Sequence, residues 1–178
     1  VESITADIGW NWGRWGDGTW NIEETGDDDF KSGSLLYIVG RGVTTAAELD
    51  ALEIVMDGKK AKFGGEFAPV DGMAVNHDSD VMTINKLFFY ADFTKREIQE
   101  FTVNVSGADR FGSGDVKQGD PVGFATARDK IDLVGDNMRG EATVELLGST
   151  AGHAIGTFSL EQGTDPNPRT YGVSGVYA

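Results

Sequence analysis

The chain has 178 residues, with 15 Lys and Arg against 29 Asp and Glu for a net charge of -14, and no cysteine. So few cations among so many carboxylates do not easily supply a concentrated phosphate-binding surface, which argues against a nucleic-acid role and disfavours adhesion to an anionic membrane. The missing cysteines exclude disulfide stapling, thiol chemistry and cysteine metal sites.

The length suits one domain with a substantial core, and 25 glycines, about twice the usual share, favour a many-turned β protein. No apolar run reaches membrane-spanning length, and no charged-then-apolar leader opens the chain. A mature form, or a module of something longer, is expected.

Residues 7–22 hold all four tryptophans. Trp10 and Trp12 share a face if this stretch is a strand, and Gly16, Asp17 and Gly18 predict a turn, with Trp20 and Ile22 starting the return. An acidic loop at Asp27, Asp28 and Asp29 precedes an apolar strand over Ser34 to Val39. Thr45 with Glu48 three residues on is a capping-box signature, and Leu49 and Leu52 give one apolar edge, so a short helix is placed over Thr45 to Leu52. Glu53 to Met56, Asp57-Gly58 and Lys60 to Phe67 predict a hairpin, because Asp-Gly supplies the positive φ angles of a tight turn.

Residues 68–82 read as irregular. Strands follow at Thr83 to Phe93 and Ile98 to Val105, where Phe101, Val103 and Val105 share a face. Asp109 to Gly119 reads as a loop, and Phe124 to Ala127 and Ile131 to Val134 as short strands. Gly135, Asp136 and Asn137 then turn the chain into the clearest pattern it contains. From Met138 to Leu147, small or apolar residues (Met138, Gly140, Ala142, Val144, Leu146) alternate with polar ones (Arg139, Glu141, Thr143, Glu145). The pattern recurs at Ala154, Gly156, Phe158 and Leu160, and at Tyr171, Val173, Gly175 and Tyr177. Buried faces that mix glycine or alanine with one large residue suit the tapering interior of a small antiparallel barrel. The expected fold is therefore all-β: an antiparallel barrel of about eight strands in a meander, closed by the strand ending at Tyr177. A small β-rich N-terminal subdomain with one short helix accompanies it. The barrel is assigned to 83–178 and the packed-on strands, helix and hairpin to 1–82, the two forming one compact unit.

Catalytic signatures are missing: there is no G-x-S-x-G elbow and no complete phosphate loop, so a non-enzymatic protein without a cofactor is expected. Three side-chain groups remain as binding candidates. His77 and His153, with a carboxylate, offer a metal or haem ligand set, against the commoner role of solvated surface groups. Asp27, Asp28, Asp29, Asp78 and Asp80 offer clustered oxygens for calcium without an EF-hand spacing, against a solvated acidic loop. Trp10, Trp12, Trp15 and Trp20 make either a stacking platform for sugars or a buried staple between subdomain and barrel. The staple is preferred, since periodicity puts only Trp10 and Trp12 on one strand face.

Phe89 to Phe93, "MRGEATVELLGS", "HAIGTFSLEQG" and the closing "YGVSGVYA" resemble the barrel domain of the transferrin-binding protein B superfamily of bacterial surface lipoproteins and haemophores. The likeness covers about 90 residues, and "WNWGRW" before "LLYIVGRG" is similar to segments preceding such barrels. It implies a monomeric module on the extracellular or outer-membrane surface, taking a protein or small ligand through loops at one barrel end. Alternatives are a haem or metal carrier and a carbohydrate-binding module. The family's YGPKA-like insertion is replaced here by "LGSTAGHA", and no site residue is carried over.

Overall fold

A computed structural model describes residues 9–20, 31–65, 71–76, 80–107, 114–124, 128, 130–163 and 171–178, the side chains at 15–20, 31–35 and 171 excepted. The elements are β1 (Gly9–Trp20), β2 (Lys31–Arg41), α1 (Ala46–Met56), β3 (Lys60–Gly65), β4 (Gly72–Asn76), β5 (Val81–Asp92), β6 (Glu97–Ser106) and β7 (Val116–Gln118). They continue with β8 (Val122–Gly123), β9 (Ile131–Gly135), β10 (Met138–Ala142), β11 (Glu145–Leu147), β12 (His153–Gln162) and β13 (Tyr171–Tyr177).

Eight of these strands close an antiparallel barrel in the order β4, β5, β6, β7, β9, β10, β12, β13 and back to β4. Ring neighbours follow one another along the chain, so the meander is observed. The strand ending at Tyr177 seals the ring by pairing with β12 on one side and β4 on the other. β3, β8 and β11 extend the edges of β5, β6 and β12.

The alternation seen from Met138 onward is the barrel's inside and outside. Met138, Ala142, Val144 and Leu146 are buried, as are Phe158, Leu160, Val173 and Tyr177. Inward glycines make room for the rings: a methyl group on Gly175 would lie 2.1 Å from Phe158 Cζ, and one on Gly156 would lie 2.4 Å from the Tyr177 hydroxyl. Phe63, Phe89 and Phe101 stack in series at centroid separations of 5.0 and 5.7 Å, and Tyr177 meets Phe101 edge-on at 5.8 Å. The barrel interior is thus a packed core rather than a ligand chamber.

Four sequence expectations are corrected. Gly16 to Gly18 is no hairpin turn: β1 runs through it to Trp20, with a bulge between Trp15 and Gly18 against β2, since a glycine pair serves a bulge as readily as a turn. Asp57-Gly58 ends a helix instead of joining two strands. α1 extends to Met56 because Leu49, Leu52 and Met56 pack one face on the core, and the positive φ angles of 21° and 74° fall at its C-terminal cap. The β-branched run Ile54-Val55 looks like a strand, but tertiary packing overrides that propensity. The irregular stretch 68–82 contains β4, so the barrel begins at Gly72, before the expected boundary at residue 82. The expected loop 109–119 contains β7, which bridges β6 and β9.

Candidate functional site

Segment 42–44 runs beside β11, through the Val43–Leu147 bridge, Thr44 N–H to Leu146 O (2.9 Å) and Thr44 Oγ1 to Gly148 O (2.8 Å). This delivers the chain to the N-cap of α1. Thr45 accepts from the Glu48 amide, and the Glu48 carboxylate accepts from the Thr45 amide at 2.7 Å. The bond from the Thr45 amide, and then one that the Thr45 hydroxyl donates to the same carboxylate at 2.8 Å, hold the Glu48 carboxyl below the usual carboxylate range.

Arg96 fixes the other side of the helix. It stands at φ 56° in the turn between β5 and β6. Its guanidinium donates to Glu53 (2.9 Å) and pairs with Asp50, and its carbonyl accepts from the Phe124 amide (2.9 Å). The bonds to Asp50 and then Glu53 raise its already high pKa.

Between α1 and the barrel end these contacts frame a cleft of 520 Å³, with Leu49, Ile98, Phe124, Val144 and Leu146 among its apolar walls and Arg96, Arg128 and Glu145 at its polar edge. A second cleft of 390 Å³ lies beside it, under Ile38 and Gly40 of β2 and against Ile155 and Thr157 of β12. Arg128, Val144 and Glu145 line both. The ion pair Arg128–Glu145 therefore stands between them, over Val144.

A different cluster pins the β1–β2 hairpin. Trp10 and Trp12, two residues apart on β1, donate their indole N–H groups to the two oxygens of Asp71, at 3.1 and 2.9 Å. Trp10 also rests on the His153 imidazole at 5.1 Å. Gly40, opposite Trp10, lets β2 lie on Ile155 and Leu147. Trp10, 36 % exposed, and the half-buried Trp12 face the barrel with their polar atoms engaged.

Of the candidates, Trp10, Trp12 and His153 thus come together. Asp71, which joins them, was missed, because a carboxylate in an Asp-Gly dipeptide signals only a turn. Trp15 and Trp20 lie in β1, but their side chains are outside the described residues. His77, Asp27, Asp28, Asp29 and Asp78 are also outside them. Asp80 bonds Asn76 through its amide (2.8 Å) and its carboxylate (3.1 Å), closing the β4–β5 turn. Among the described residues, no group of three His, Asp or Glu is placed to hold a metal ion. The cleft under α1 also escaped the sequence reading, since its walls come from five separate segments. No family model, curated protein or solved structure matches this chain.

Proposed function

We propose that this chain is a non-enzymatic binding module of a bacterial envelope protein, displayed outside the cell, whose ligand lodges at the barrel end beneath α1. The observation that carries the reading is the contrast between a barrel interior filled by stacked rings and an apolar cleft of 520 Å³ at its end. That volume lies within the range of small-molecule and side-chain pockets, which are mainly apolar with a few placed polar groups. The capping box and the Arg96 pairs hold the helix wall in position before a ligand arrives, which lowers the ordering cost of binding.

Titration with Nile red tests the site. A blue-shifted, saturable emission is expected, and Ala46→Trp, which places an indole in the cleft without disturbing the core, should abolish it. Unsaturable emission, or emission indifferent to Ala46→Trp, would overturn the reading. Display outside the cell is tested by antibody labelling of intact cells that make the full-length protein.

A further inference from the structure

Resting on the barrel-end reading, we infer that the cleft takes an apolar polypeptide segment carrying a positive charge, which displaces Arg128 from Glu145 and spans both clefts. The two members of this pair are held differently. Glu145 lies in β11, opposite Ile155 of β12, with its side chain 25 % exposed, whereas Arg128 lies outside any strand and is 59 % exposed. When the pair opens, Arg128 regains full hydration at little cost. Glu145 is left a half-buried carboxylate without a counter-charge, and an unpaired charge in that position is unfavourable.

The group that enters must therefore be a cation. The other cation of the polar edge does not replace Arg128: Arg96 is already matched by Asp50 and Glu53. Over longer distances the net charge of -14 steers basic partners towards the molecule and repels acidic ones.

The occupant is a chain rather than a compact ligand because of the shape of the site. The two clefts lie on either side of Val144, and one ion pair divides them. An extended segment with apolar residues on both sides of a Lys or Arg would fill both clefts and set its cation at Glu145.

The test is fluorescence anisotropy with the labelled heptapeptide Gly-Leu-Phe-Arg-Val-Leu-Gly and two counterparts carrying Glu or norvaline in place of Arg. The Arg peptide should bind about five- to tenfold tighter than the norvaline peptide, as expected of a partly buried ion pair. The Glu peptide should bind weakest. Glu145→Gln should erase the preference for Arg over norvaline, and Arg128→Gln should leave Arg-peptide binding equal or tighter. Equal affinity for all three peptides would overturn the cationic assignment and leave the barrel-end site standing. Nile red binding without binding of any peptide would overturn the polypeptide assignment. Failure of both probes would remove the site itself.

Discussion

Tyr177 shows how one side chain joins two parts of the barrel. Its ring fills the space left by Gly156, and its hydroxyl donates to the Thr143 carbonyl at 2.6 Å, where the chain passes from β10 to β11. Burial raises the phenol well above its ordinary pKa of 10.0. The folded protein therefore holds this proton more tightly than the unfolded chain does. Its contribution to stability is complete below about pH 10 and is lost as pH rises from there towards the folded pKa. Tyr177→Phe should cost about 1–2 kcal/mol at neutral pH through the unpaired carbonyl. It should also flatten the alkaline decline, because a phenyl ring has no proton to lose. Urea unfolding of both proteins at pH 7, 9 and 11 measures this, and an equally steep alkaline decline in the variant would show that Tyr177 is not the responsible group.

At the scale of elements, the β1–β2 hairpin is the part with a separable attachment. An isolated two-stranded hairpin is marginal in water, so this one depends on what holds it to the barrel. Anchors among the described residues include the two indole bonds to Asp71, the Trp10–His153 contact and the seating of Gly40 on Ile155 and Leu147. Asp71→Ala removes both acceptors at once. Amide exchange in β1 and β2 should quicken by about one to two orders of magnitude, a change that corresponds to roughly 1–3 kcal/mol. Exchange in β10 and β12 should stay unchanged. Uniform acceleration everywhere would mean that the hairpin and barrel open as one unit. α1 is built differently: its inner face packs on the core, but Ile54 and Val55 are 81 % and 73 % exposed. Its place therefore rests on the cap, the inner face and the Arg96 pairs.

For the whole molecule, closure is the main constraint. A ring of eight strands has no free edge, and β13 is the strand that joins its last-made part to β4, more than ninety residues earlier in sequence. Removing residues 171–178 would expose the edges of β12 and β4 and delete Val173, Val176 and Tyr177 from the core. Unpaired edges and lost burial act together here. The truncated chain should show no cooperative thermal transition in near-ultraviolet circular dichroism, whereas the intact chain should show one. A cooperative transition after truncation would mean that the ring is dispensable to the fold.

What the sequence determined by itself was the part governed by local periodicity. The alternation from Met138 onward and the small-aromatic ending identify barrel walls, because a strand's two faces differ by one residue and a slip would bury Arg139 and Glu141. The capping box at Thr45 and Glu48 is equally local and is found where it was expected. Tertiary structure decided the matters in which one local signal has two solutions. Asp57-Gly58 suits a hairpin turn and a helix end alike, and the choice came from Leu49, Leu52 and Met56 finding the core. Gly16 to Gly18 suits a turn and a bulge alike, and the pairing of β1 with β2 selected the bulge. The cleft, the Arg128–Glu145 pair and the Asp71 anchor lie further from any sequence signal. The cleft and the anchor join residues far apart along the chain and form only when separate segments pack together, whereas Arg128 and Glu145, 17 residues apart, meet across the end of the β9–β10 hairpin, beyond its Ile131–Ala142 pair.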